Sequence, residues 1–373
     1  MESSIKSNSL KNEEIRSAVY ELLNRGFENP ENVSGVFLMA IFDDENVLND
    51  PVHLQLMAGS SLRVELGDVT KPDAKASMPL GSLKRILNES QWLDFRDPSL
   101  MSTIALEGNR DLVNFFARMI LHPNEEMRQR LEYWDDKDEA IFSASEFERV
   151  KRPTEHYILQ ALADCRPFII TDVPVNRPHT DWSLDYLNKI YSNTPLRVRA
   201  KNEQETLGEF LLRMDEANSF TGKITDGHTK AYTEGCALPE AMRAEFVPAY
   251  FTLHDYIEPQ IWLGNVPVNV PASSLHRDPM DGFLYQIMGR KKMVMYAPNQ
   301  AKYLYPLKAY NNYQPCWVEP MDPNYDRYPE FKKAKPVEVI LNPGELLIQP
   351  AGWFHAVYCL DSPTFSVSHF YRM

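Results

Sequence analysis

Ser273-Ser274-Leu275-His276-Arg277-Asp278 sets a histidine and an aspartate two residues apart, and Pro350-Ala351-Gly352-Trp353-Phe354-His355 supplies a second histidine far along the chain. On a strand, residues i and i+2 point to the same face, so His276 and Asp278 can converge on one ion. With His355 they make two imidazoles and one carboxylate on one face of a metal, its other positions open. That donor set suits a non-haem Fe(II) centre. The rest of the chain is expected to build the barrel around these residues or to bring a substrate to it.

The flanking sequence agrees with a β structure. Past Asp278 comes Phe283 to Met288, a Gly289-Arg290 turn and then Lys292 to Tyr296. Further strand candidates are Gln260 to Leu263, Val337 to Leu341, Leu346 to Gln349 and Thr364 to Tyr371. Pro, Gly and Asn turns separate them, Asn342-Pro343-Gly344 being the strongest, which is the texture of an all-β barrel or sandwich. The same His276-Arg277-Asp278 triplet occurs in the catalytic loop of protein kinases. There it needs a downstream Asn, a DFG and an upstream glycine loop, and none is present here.

The earlier part of the chain reads differently. Residues 1–11 look like a polar tail. Ile15, Val19, Leu22 and Leu23 form a helical stripe that Gly26 ends. The apolar run from Ser34 to Ile41 fits helix or strand equally. Leu83, Ile86 and Leu87 suggest a short helix, and Asn109 caps one whose core face is Leu112, Phe115, Phe116, Met119 and Ile120. The acidic run from Asp135 to Glu139 reads as solvated surface. Beyond it Thr154 caps another helix. The expected division is therefore a largely helical domain over 1–145 and a mainly β domain over 146–373.

Bulk properties narrow the function. The chain has 373 residues, 43% hydrophobic and 24% charged, as a globular protein with a real core should. A net charge of −13 disfavours nucleic acid and anionic lipid as general partners. The four cysteines are scattered without a CxxC pair, which fits a reducing compartment and gives neither a disulfide framework nor a zinc knuckle. A polar N-terminus and the lack of a long apolar run point to a cytoplasmic protein without membrane attachment, with a nuclear location also open.

Taken together, His276-Arg277-Asp278, the strand after it, Lys291 and the P-x-x-W-x-H around His355 resemble the Jumonji-C, cupin-like Fe(II)/2-oxoglutarate oxygenases. The layout is particularly similar to the hydroxylase branch that includes the asparaginyl hydroxylase of hypoxia-inducible factor. The resemblance covers roughly residues 150–373 and includes the loop segments 322–325 and 328–331. It implies a double-stranded β-helix (jelly-roll) catalytic domain with His276, Asp278 and His355 on Fe(II). It also implies 2-oxoglutarate as co-substrate, with Lys291 on its distal carboxylate, assisted by Ser273 and Tyr232. His369 falls near the co-substrate position or is a core histidine. Gly282 stands where that hydroxylase has an asparagine. Trp353 reads as packing behind the metal, and no protein acid or base is required.

The implied reaction couples oxidative decarboxylation of 2-oxoglutarate by dioxygen to hydroxylation of a C–H bond in a protein or peptide side chain. A free amino acid or small natural-product intermediate is the alternative substrate, N-demethylation the alternative outcome, and a catalytically silent binding barrel the alternative class. Family members that dimerise through C-terminal helices carry extra sequence there. This chain ends at Met373, so dimerisation, like substrate choice, is expected of the N-terminal domain.

Overall fold

A computed structural model describes residues 2–43, 50–95, 97–138, 142, 146–196, 205–218, 231–246, 250–268 and 270–371. It divides into two compact units, Met1–Arg128 with Pro306–Trp317, and Gln129–Tyr305 with Val318–Met373. The division thus falls earlier than residue 145, which itself lies outside the described residues. An excursion of the later chain also joins the first unit.

The first unit contains α1 (Glu2–Gly26), β1 (Gly35–Phe42), β2 (Val52–Ala58), β3 (Arg63–Leu66), β4 (Ala74–Pro79), α2 (Leu80–Glu89), α3 (Pro98–Met101), β5 (Ala105–Gly108) and α4 (Arg110–Met119). The expected helices are present, and α1 also runs through the stretch read as a tail, because propagation adds a hydrogen bond for each residue fixed. Asn109 caps α4 by accepting from the N–H groups of Asp111 and Leu112. A five-stranded sheet, β3-β2-β1-β4-β5, accompanies these helices. Its central strand, β1, lies antiparallel to β2 and parallel to β4. This resolves the ambiguous apolar run: a central strand next to a parallel partner is buried along its length, so it shows no alternation. Val19, Leu22 and Leu23 of α1 and Phe115, Phe116 and Met119 of α4 close the core over Phe37, Met39 and Ile41. Ala309 of the 306–317 excursion belongs to that core, and a Cβ at Gly26 would stand 2.6 Å from the Ala309 Cβ. Only glycine fits there.

The second unit opens with the last turns of α5 (Glu125–Asp135), then β6 (Arg149–Lys151), α6 (Glu155–Ala163) and β7 (Phe168–Thr171). Thr154 caps α6, its hydroxyl accepting from the Tyr157 N–H at 3.2 Å. The strands continue as the short pair β8 (Pro195–Leu196) and β9 (Glu205–Thr206), then β10 (Ala231–Tyr232), β11 (Cys236–Ala237), β12 (Gln260–Asn265), β13 (Pro271–Arg277), β14 (Gly282–Met288) and β15 (Lys291–Tyr296). After β16 (Gln314–Pro315), within the excursion, come β17 (Val337–Leu341), β18 (Leu346–Gln349), β19 (Phe354–Cys359) and β20 (Thr364–Phe370). The larger sheet runs β10-β12-β20-β14-β18-β7-β6, and the smaller one places β13, β19, β15 and β17 side by side.

Alternation along these strands separates an inside from an outside. Phe168, Ile170, Phe283, Tyr285, Leu346, Ile348, Phe365 and Val367 pack outward against Ile158, Trp182, Phe210 and Phe246. Their neighbours Ile169 and Leu347 face the other way, meeting Met293, Met295, Val339, Leu341, Val357 and Cys359 of the smaller sheet. The inner cluster is the jelly-roll interior. Trp353 packs there as expected, its indole N–H donating to the Cys165 carbonyl at 2.9 Å. No helix among the described residues is long and apolar enough to cross a membrane.

Candidate metal centre and co-substrate pocket

His276, Asp278 and His355 come together, each offering a ligand atom within 4.8 Å of the others. The cause is strand register: His276 of β13 pairs directly with His355 of β19, bringing their rings to 4.1 Å between centroids. Asp278, just past the end of β13, places its Oδ2 3.7 Å from His355 Nε2.

The proton positions suit metal binding. His276 Nδ1 lies 2.7 Å from the Ser274 carbonyl, so that nitrogen donates and Nε2 keeps its lone pair. His355 Nδ1 faces the Trp353 carbonyl at 3.2 Å in the same way. Gln349 Nε2 lies 2.9 Å from the same nitrogen. Burial, reinforced by neighbouring His276, pushes the His355 pKa well below the ordinary imidazole value, so the ring is neutral and able to ligate. With no thiolate in the set, these donors fit Fe(II) better than structural zinc.

A salt-bridged clamp holds the two halves of the site together. Asp281 Oδ1 accepts from the Ala351 N–H at 2.7 Å, and Oδ2 from Arg130 Nη2 at 2.9 Å. Arg130 Nη1 donates to the Pro279 carbonyl at 3.0 Å, and the Gly352 N–H to the Asp278 carbonyl at 2.9 Å. The loop carrying Asp278 is thereby tied to the turn that presents His355. Asp281→Ala leaves a buried N–H and a half-buried guanidinium without their acceptor. Breaking such a pair costs about 3 kcal/mol, and Fe(II) affinity is expected to fall by about tenfold. Asp281→Asn keeps an oxygen for Ala351 and should recover most of that affinity; anaerobic Fe(II) titration of both variants is the check.

Arg277, between the two ligands, points to the opposite face. It lies over the Phe354 ring and forms a bidentate pair with Asp135 at the end of α5. Asp135 is therefore not the solvated surface residue expected. Burial raises its pKa while Arg277 pulls it down.

The second constellation forms around Lys291. It starts β15 opposite Cys359, and Met295 on the same strand pairs with His355, so Lys291 and His355 face one interior about 13 Å of strand apart. Only 1% of Lys291 is exposed. Its Nζ donates to Tyr232 Oη at 3.1 Å and to Ser366 Oγ at 2.6 Å. Ser366 in turn donates to Gln286 Oε1 at 2.7 Å, while Gln286 Nε2 is held by the carbonyls of Met288 and Gly289 at 2.7 and 2.8 Å. This chain turns a Ser366 lone pair toward the ammonium. An ammonium has three N–H groups, so one remains after Tyr232 and Ser366 are served. Among the described residues no carboxylate pairs with it. Burial lowers its pKa to about 8.

Lys291 and Tyr232 are thus brought together as the sequence suggested. Ser273 lies half-buried at an irregularity of β13, opposite Val357 of the interior. His369 does not join them. It shares a face of β20 with Phe365 and Val367, lies tilted against Tyr256 with ring centroids 5.0 Å apart, and is fully buried with neither ring nitrogen bonded. Its pKa falls to about 4 through burial, so it is a neutral core histidine. The inward positions are Ser366 and Ser368, the latter accepting from Trp262 Nε1 at 2.8 Å. Strand parity could have found both serines, given one residue of known facing. Gly282 has no positive φ, and a Cβ there would meet nothing closer than Phe370 at 3.6 Å, so it leaves room beside Gln349.

Comparisons with known proteins agree with this geometry. Lysine-specific demethylase 8 of Xenopus tropicalis is 29% identical over 225 residues, 57% of this chain and 50% of that protein. tRNA wybutosine-synthesizing protein 5 of Danio rerio is 31% identical over 184 residues, 48% of this chain and 53% of that protein. JmjC domain-containing protein D of Dictyostelium discoideum is 36% identical over 193 residues, 48% of this chain and 41% of that protein. The chain spans about half the length of these relatives. They support the Jumonji-C superfamily and not the narrower branch of the hypoxia-inducible-factor asparaginyl hydroxylase. A cupin-like domain matches residues 154–373, the stretch that holds the triad and Lys291, and the chain belongs to that cupin-like family.

Proposed function

We propose that this protein is an Fe(II)- and 2-oxoglutarate-dependent dioxygenase that hydroxylates a C–H bond of an amino-acid side chain in a protein or peptide. The observation that carries the reading is a buried ammonium, with no carboxylate partner among the described residues, on the same interior face as a two-histidine, one-carboxylate set. An isolated buried charge costs several kcal/mol, so the pocket is arranged for an anion. A dicarboxylic 2-oxo acid held at the His276, Asp278 and His355 set would supply that anion to Lys291.

His276, Asp278 and His355 would hold Fe(II), and Lys291 with Tyr232 would bind the distal carboxylate, with Ser273 at its margin. Bound iron and 2-oxoglutarate supply the oxidising power for C–H cleavage. The chain's own work is to orient: carbonyls of Ser274 and Trp353 fix the imidazole tautomers, and Gln286 fixes Ser366. The apolar interior excludes water. Residues 1–145 would serve substrate choice or dimerisation, and a cytoplasmic location remains part of the proposal.

N-demethylation is the second reading, favoured by the relative named as a lysine-specific demethylase. Cell extract incubated with the enzyme, Fe(II) and 2-oxoglutarate separates the two by mass spectrometry. Gain of one oxygen atom on peptides supports hydroxylation, and loss of a methylene unit supports demethylation. Oxygen gain confined to a free amino acid or to RNA would replace the proposed substrate class. Absence of succinate formation with any substrate would sink the enzymatic reading.

A further inference from the structure

The second unit carries a cleft of about 960 Å³, lined in part by Asp135, the partner of Arg277. Residues 135–137 at the end of α5, 299–303 and 332–335 line it. Five lysines line it, Lys137, Lys302, Lys332, Lys333 and Lys335, against Asp135 and Asp136. Asp135 is already committed to Arg277, and Lys333 to Glu330 at 2.6 Å. In a chain of net charge −13 this is a local reversal of sign.

Three of these ammonium groups rest over tyrosine rings: Lys137 at 3.6 Å from the Tyr133 centroid, Lys302 at 5.0 Å from Tyr303 and Lys332 at 5.3 Å from Tyr325. Cation–π contact of this kind restrains the heads of otherwise mobile side chains. It also covers the ring faces that a nucleic-acid strand would use for stacking.

An acidic peptide supplies several negative charges at the spacing of neighbouring side chains and does not depend on stacking against the covered tyrosine rings.

We infer that this lysine-rimmed cleft is a docking site for an acidic stretch of the polypeptide substrate. The inference rests on the reading that the substrate is a polypeptide. It is tested by binding alone, so its failure is distinguishable from failure of the catalytic assignment.

The experiment measures fluorescence anisotropy of a labelled octaglutamate peptide with the full-length, iron-loaded protein. Inorganic phosphate and an octauridylate RNA serve as comparison ligands. The peptide should bind, lose at least about tenfold in affinity between 50 and 300 mM salt as a multi-charge contact does, and outcompete both comparison ligands. Lys332→Glu/Lys335→Glu should weaken the peptide by about tenfold or more with unchanged iron content and basal 2-oxoglutarate turnover. No peptide binding, or equal binding to the double variant, overturns the inference. Tighter binding of phosphate or RNA than of peptide overturns it also, by assigning the cleft to that ligand.

Discussion

Asp278→Ala and His355→Ala are each expected to abolish Fe(II) binding, weakening it by about a hundredfold or more, beyond the ten- to hundredfold that an outer hydrogen-bond partner of a metal ligand costs. Two protein ligands are too few to fix the ion. The apoprotein should stay folded, because His355 is already neutral and Asp278 sits at the edge of the interior. The measurement is therefore twofold. Anaerobic calorimetry should show a defined one-to-one uptake by the wild type and none by the variants. Thermal unfolding should show metal-dependent stabilisation, about 2.7 kcal/mol when the metal is at a hundred times its Kd, in the wild type alone. Undiminished Fe(II) affinity in both variants would remove the triad assignment. His276→Ala is expected to follow them, since its ring pairs directly with that of His355.

The second large effect concerns Lys291. Lys291→Met keeps most of the side-chain volume and removes the buried ammonium. It should weaken 2-oxoglutarate binding by about 2–4 kcal/mol, roughly thirty- to a thousandfold, because a charge-assisted bond is lost and a carboxylate is left unpaired in a dry pocket. Ser366→Ala, which removes a neutral acceptor of the ammonium, should cost about 1 kcal/mol. The pH dependence has a definite sign. The ligand needs the protonated lysine, so affinity should be flat below pH 8 and decline as pH rises through the apo value of about 8. The apoprotein should respond in the opposite direction. The folded-state pKa is below the ordinary 10.5, so between about pH 8 and 10.5 the unfolded chain holds a proton that the native chain has released. Stability from this group therefore rises across that window, by roughly 3 kcal/mol in all, and Lys291→Met should lack the rise. If the variant bound 2-oxoglutarate as well as the wild type, another cation must hold the carboxylate; Arg290 is already paired with Asp361 and Lys292 with Glu338.

The chemistry of the site was legible in the sequence where it depends on local geometry. His276 and Asp278 share a face because strand side chains repeat every two residues, and the strands from Phe283 to Phe370 announced themselves by composition and by turns such as Asn342-Pro343-Gly344. The helix caps at Asn109 and Thr154 were equally local, each resting on one side-chain oxygen and a nearby N–H.

Other features are properties of the assembled fold. The facing of His369 was undecided because parity needs a reference. Only the pairing of β20 with β12 and β14 shows that Ser366 and Ser368 look inward and His369 outward. The Asp281–Arg130 clamp joins residues far apart in the chain, and nothing local marks either as a partner. The sheet of the first unit was missed for a related reason: β1 is buried along its length and pairs in parallel with β4, so it carries neither alternation nor a hairpin turn. The first unit also takes in residues 306–317, which place Ala309 in its core beside Gly26 of α1, a contact that periodicity cannot register. The sequence by itself determined which atoms could bind a metal and an anionic co-substrate. The tertiary structure decided which of them face one interior, because strand pairing and packing are long-range and their energies depend on partners the local sequence does not contain.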